Sequence, residues 1–205
     1  DMFKTASKRL NIFSQLPRFA HVLLIMLCLT VKAHIFGTEN ESARKMVNYQ
    51  GVKLCLTMIV KNESKIIERC LDSVRNIVDC ISICDTGSTD DTIEIIERYM
   101  KLHCIAGKVH RHTWKDFGHN RSLSATAAEE TIKELGFELF YTYLLLLDAD
   151  MVLNVASRFD KEKLNKSNYY LVQRSIYMSH YNVRLIKASL PWKCIGVTHE
   201  YWACK

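Results

Sequence analysis

Residues 140–147 (FYTYLLLL) form an almost continuous apolar run that stops at Asp148-Ala149-Asp150. A strand apolar on both faces must be covered on both, the habit of parallel sheets held between two layers of helices. The chain upstream supplies such layers. Residues 52–60 (VKLCLTMIV) read as a β-rich strand, and residues 63–76 place Ile66, Ile67, Cys70, Leu71 and Val74 on one helical stripe. A second strand is expected over 77–84. Gly87-Ser88-Thr89 then turns into a helix over 90–102, with Ser88 or Thr89 as cap, Asp90 and Asp91 in its first turn, and Ile93, Ile95, Ile96, Tyr99 and Met100 on its buried side. An edge-like strand over 108–114 and an Ala-rich helix over 120–135, stopped by Gly136, complete the alternation. The expected fold class is α/β, a mostly parallel central sheet flanked by helices.

Composition and charge exclude several classes. Of 205 residues, 48% are hydrophobic and only 7 are Gly and 2 Pro, so disordered and collagen-like chains are ruled out. The net charge is +6, and residues 1–50 supply four of those six charges. The part from residue 51 on is therefore nearly neutral, which argues against a nucleic-acid partner. Eight cysteines show no C-x-x-C spacing. Cys80 and Cys84 sit at strand period with Ser82 and read as buried thiols on one face, which favours a reducing compartment.

Residues 1–50 form a separate basic and apolar segment with a polar linker over 37–50, preceding a domain over 51–205. The run 19–31 (FAHVLLIMLCLTV) lies between Arg18 and Lys32. Thirteen helical residues rise about 20 Å, less than a hydrocarbon core. The segment supports a signal peptide, a membrane anchor or a packed helical appendage, and membrane association is expected through this run if anywhere. N-x-S/T sequons at Asn40, Asn62, Asn120 and Asn165 include two inside the motifs below, which favours a cytoplasmic or membrane-associated site over the secretory lumen.

Three strand ends carry polar groups: Lys61-Asn62-Glu63, Asp85 to Asp90, and Asp148-Ala149-Asp150. In open α/β sheets ligands bind beyond these ends. Carboxylates at i and i+2 leaving a strand project to one side and suit a hard divalent cation. The bland alternative is a solvated loop with two acids. Asp85-Thr86-Gly87-Ser88 matches the aspartic-protease loop, but that fold is all-β and this loop runs into a helix. Residues 144–153 (LLLLDADMVL) resemble the first motif of haloacid-dehalogenase phosphatases, with Asp148 as nucleophile and Asp150 as acid/base. That motif normally opens its domain, and no second carboxylate pair follows here. No P-loop and no G-x-G-x-x-G occurs.

The succession LTMIVKNE (56–63), CLDSV (70–74), DTGSTDD (85–91), WKDFGHNRSL (114–123) and LDAD (147–150) resembles family 2 glycosyltransferases, over about residues 52–205. The resemblance implies a GT-A type nucleotide-sugar-binding domain that uses Mn²⁺ or Mg²⁺. It places Val60, Asn62 and Glu63 beside the nucleoside and gives Asp85 a hydrogen bond from the base, typically uracil N3–H. It sets Asn120 and Arg121 near the nucleotide, Asp148 at the ribose and metal, and Asp150 on the metal. Family members often show Arg-Asn where this chain has Asn-Arg.

The segment 196–202 (GVTHEYW) resembles the family's late His-Glu element, which implies Glu200 as base for an inverting transfer and His199 as a metal or phosphate ligand. The bland reading ends a strand there with a structural hydrogen bond. Trp192 and Trp202 are candidates for stacking on a sugar or for the core. The implied reaction moves a sugar from a nucleotide-sugar donor, expected to be UDP-linked, to a glycan, protein or small-molecule acceptor. Related domains continue with helical material on the acceptor side, so a fragment, an enzyme completed by a partner and a non-catalytic binding member all stay open.

Overall fold

The computed structural model describes residues 50–204. The expectations for the 19–31 run and the 37–49 linker lie outside the described residues. Among the described residues there are eight strands: β1 (Lys53–Val60), β2 (Cys80–Asp85), β3 (Ala106–Arg111), β4 (Thr142–Leu146), β5 (Asn168–Arg174), β6 (Ser179–Lys187), β7 (Trp192–Ile195) and β8 (Tyr201–Cys204). Three α-helices join the first four: α1 (Ile67–Val74), α2 (Thr92–Leu102) and α3 (Phe117–Glu134).

The main sheet runs β3-β2-β1-β4-β6-β5. β3, β2, β1 and β4 are mutually parallel, whereas β6 is antiparallel to both β4 and β5. The expected parallel sheet is therefore four of its six strands, and an antiparallel hairpin extends it. β7 and β8 form a second, two-stranded sheet.

The period of two in β1 sorts its side chains between the two layers. Leu54, Leu56, Met58 and Val60 join α1 and α2 in one core, through Ile67, Cys70, Leu71, Val74, Ile96 and Tyr99. Cys55 faces the other way, where Ala125, Ala128 and Ile132 of α3 cover the sheet. Small side chains let α3 lie close, and its few polar groups pair with those of the sheet: Thr57 Oγ1 and Ser124 Oγ are 2.6 Å apart. The cysteines at 55, 70, 80 and 84 are buried free thiols, as their strand and helix positions imply. Burial raises the Cys84 thiol to about 12.

Boundaries moved where capping and close packing outweighed hydrophobic pattern. α3 starts at Phe117 because the Asp116 carboxylate accepts the His119 N–H at 2.7 Å. Its end falls where expected, one residue before Leu135 and the left-handed Gly136 (φ 72°). β3 begins early, at Ala106, because Gly107 lets the strand press against Ile81. Strands β5 to β8 were not anticipated. The buried–exposed alternation of β5 is shallow and no helix separates it from β6.

Chain order fixes where a ligand goes. β1, β2 and β3 step outward in one direction, then α3 carries the chain back to β4 on the opposite side of β1. The two crossovers diverge between β1 and β4 and leave a crevice at their carboxyl ends.

Candidate functional site

That crevice holds a cavity of about 590 Å³ whose wall includes Val60, Lys61 and Glu63 after β1, Thr86 after β2, and Asp148 and Asp150 after β4. Trp114, Phe117 and Arg121 close it from the start of α3, and Gln173 and Arg184 from the β5–β6 hairpin.

The β1 and β2 ends are tied into one rim. Asn62 takes a left-handed φ of 57°, which Asn tolerates better than most residues. Its Oδ1 accepts the Thr89 N–H at 2.8 Å, and its own N–H donates to Ser88 Oγ at 2.9 Å. The Glu63 N–H donates to Thr92 Oγ1 at 2.8 Å. Asp90 accepts from the Ser64 N–H and from both donors of Thr92, and these bonds hold its carboxyl down at about 2. Asp85 is buried, with its carboxylate accepting the N–H groups of Gly87 and Ser88 at 2.9 and 3.0 Å.

A chain of ion pairs runs across the floor. Arg121 Nη1 meets Asp148 Oδ1 at 2.7 Å while its Nε donates to Glu200 Oε1 at 3.0 Å. The other Asp148 oxygen faces Arg184 Nη1 at 3.4 Å, and Arg184 Nη2 donates to Gln173 Oε1 at 2.6 Å. Burial disfavours the Arg121 charge, yet the two carboxylates outweigh it and its pKa rises. For Arg184 burial prevails and the pKa falls, although Asp148 opposes it. Above this floor Trp114 and Phe117 meet edge to face at 4.9 Å, a half-exposed aromatic wall.

Of the residues expected at a site, Val60, Glu63, Arg121, Asp148 and Asp150 line the cavity. Asn62, Asp85 and Glu200 are not among the lining residues; the first two bond within the rim loops, and Glu200 reaches the lining residue Arg121. Asn120 is 1% exposed, and its amide is used by the Lys115 N–H at 2.8 Å and the Thr113 carbonyl at 3.1 Å. It holds the loop before α3 and does not face the cavity. His199 was expected as a metal or phosphate ligand. It sits exposed in the β7–β8 turn at φ 57°, and among the described residues no three His, Cys, Asp or Glu side chains gather as a metal cluster. Glu200 beside it points the other way and reaches Arg121. Trp192 and Trp202 pack against the α3-side core, not against the cavity. Sequence reasoning missed Arg184, Gln173, Trp114 and Phe117. A signal existed for Arg184, since an Arg inside the run Val183-Arg184-Leu185-Ile186 must find a carboxylate if it enters the core.

Glu63 records the surplus of negative charge. Partial burial raises its pKa, and Asp150, Asp90 and Asp148 raise it further. The folded protein therefore holds this proton to higher pH than the unfolded chain, and stability falls as pH rises through the shifted value. Glu63→Gln is expected to melt at a higher temperature than the parent at pH 7 in chelator. The gain should vanish below about pH 4, where the acid is protonated in both states. An unchanged difference at the two pH values would contradict this.

The model for glycosyl transferase family 2 matches residues 55–201, most of the chain. The protein belongs to that family. An uncharacterized glycosyltransferase of Rickettsia felis is 33% identical over 102 residues, 44% of this chain and 34% of that protein. A Rickettsia bellii counterpart is 26% identical over 156 residues, 74% of this chain and 47% of that one. The matches thus span about a third to a half of the curated relatives' length. Among solved structures, S. aureus TarS 1-349 in complex with UDP is 22% identical over 48% of this chain and 28% of that chain, with a TM-score of 0.37. M. tuberculosis glucosyl-3-phosphoglycerate synthase is 22% identical over 50% and 36% of the two chains, with a TM-score of 0.32. The strand order and family membership together make the fold the GT-A type of α/β domain.

Proposed function

We propose that this family 2 glycosyltransferase domain transfers a sugar from a UDP-sugar to an acceptor hydroxyl by inverting displacement, with a divalent cation. The observation that carries the reading is the crevice between β1 and β4, where carboxylates, two arginines and an aromatic wall converge at a topological switch point. In the reaction the acceptor oxygen forms a bond to the anomeric carbon, the bond from that carbon to the diphosphate breaks, and its electron pair leaves on the nucleoside diphosphate. The acceptor proton passes to a carboxylate, for which Glu200 is the candidate. Arg121 and Arg184 would neutralise charge developing on the leaving group, and Trp114 with Phe117 offers a surface for a base or sugar ring.

The donor set fits a hard cation in part. Asp150 is exposed at the rim, and Glu63 carries the raised pKa of an acid among acids, so excess negative charge is gathered here. Asp148 already answers two guanidinium groups, which leaves Asp150 the principal ligand and leaves room for diphosphate oxygens. When bound, Mn²⁺ or Mg²⁺ would act as a Lewis acid on the diphosphate. A cytoplasmic or membrane-associated setting remains part of the proposal.

Calorimetric titration of UDP with and without Mn²⁺ tests it. Binding that strengthens at least about tenfold with the metal, and loses that gain in Asp150→Ala, is the expected result. A protein that binds neither UDP nor another nucleotide would sink the donor reading.

A further inference from the structure

We infer that Glu200 is an internal competitor for the donor's diphosphate, holding Arg121 in a latch that opens only when the nucleotide arrives. The inference rests on the nucleotide-sugar reading of the cavity. Arg121 spends its Nε on Glu200 at 3.0 Å and its Nη1 on Asp148 at 2.7 Å, so one guanidinium ties the β7–β8 turn to the end of β4. Its side chain is 17% exposed and that of Glu200 is 23%, so the pair is sheltered without being sealed. A diphosphate entering the cavity offers Arg121 a richer acceptor than one carboxylate oxygen does, and a planar guanidinium can meet it along an edge. Meeting the phosphate along the edge that carries Nε, Arg121 gives up Glu200.

The backbone favours such a change. Glu200 stands in a turn with Gly196 at φ 113° and His199 at φ 57°, its neighbours Val197, Thr198 and His199 are exposed, and its carboxylate accepts from Arg121. Release would leave this carboxylate without the guanidinium that links it to the cavity wall. The base would thus become available at the step that delivers the sugar. An acceptor hydroxyl arriving first would meet a carboxylate already engaged by a cation. Arg184 holds Asp148 through the exchange, because its contacts to Asp148, the Leu146 carbonyl and Gln173 involve neither Arg121 nor Glu200.

The test is a binding cycle with UDP and uridine, in chelator, on the full chain. Glu200→Gln should tighten UDP about tenfold, since breaking a charge-assisted bond no longer opposes binding. Uridine, which has no phosphate to claim Arg121, should bind the parent and Glu200→Gln alike. In an Arg121→Gln background the gain should disappear, and in an Arg121→Lys background it should shrink to less than about twofold. Unchanged or weaker UDP binding by Glu200→Gln would overturn the latch. So would a tenfold gain that persists without Arg121, because it would reflect the removal of a negative charge alone. Absence of binding by the parent protein with Mn²⁺ as well as in chelator, for UDP and for other nucleotides, removes the donor reading itself and the latch with it, a failure visible before any variant is compared.

Discussion

Asp148→Ala is expected to lower stability by about 2–3 kcal/mol, read as a shift in the denaturant midpoint with little change in slope. Asp148 is the one carboxylate shared by two arginines whose side chains are 17% and 11% exposed. Breaking a fully buried pair typically costs about 3–5 kcal/mol, mostly from the charge left behind, and the partial exposure here reduces that figure. Arg121 would keep Glu200, whereas Arg184 would keep only the neutral Gln173 and Leu146 oxygens. Arg184 is therefore the stranded charge. A second substitution, Arg184→Met, should recover part of the loss, because removing both partners is cheaper than removing one. Simple additivity of the two substitutions would show that they do not share the interaction.

How much of this was legible beforehand depends on the kind of signal each segment carries. The β1-α1-β2-α2-β3-α3-β4 core was readable because β1, β2 and β4 are apolar on both faces and α1 and α2 carry clean stripes, while β3 reads as an edge and α3 as an Ala-rich helix. The strand ends at Lys61–Glu63, Asp85–Asp90 and Asp148–Asp150 followed from where those runs stop. The hairpins β5–β6 and β7–β8 were not readable. They are half exposed, mix aromatic and polar residues, and are joined by turns without a helix, so neither periodicity is pronounced. Their contribution to the floor was lost with them: Gln173 and Arg184 come from the first hairpin, and Glu200 reaches inward from the second. Asn120 carries a signal of another kind. Its position in a motif suggested a ligand contact, but a buried amide beside an unpaired loop backbone is used to satisfy that backbone first.

The dependence of the site on the second hairpin makes Gly118→Ala the most informative change outside the cavity. Gly118 lies in the first turn of α3, where Ala would normally gain about 1 kcal/mol of helix propensity. Packing reverses that sign. A Cβ at this position would sit 2.4 Å from the Gly196 carbonyl oxygen and 3.2 Å from the Cys194 oxygen, both of them backbone atoms that cannot rotate aside. The Gly118 N–H also donates to that Gly196 oxygen at 3.1 Å, and Ser122 one turn later brackets Cys194 through its hydroxyl. Relieving the contact means moving the β7–β8 hairpin off the helix, at a net cost of about 2 kcal/mol. Because Arg121 rides on α3 and Glu200 on that hairpin, the same displacement pulls the ion pair apart. Sugar transfer should fall sharply while UDP affinity holds or rises, a separation that loss of folding alone would not produce. A variant that melts with the parent and transfers normally would mean the hairpin can shift without consequence, and Glu200 would then lose its claim to be the base.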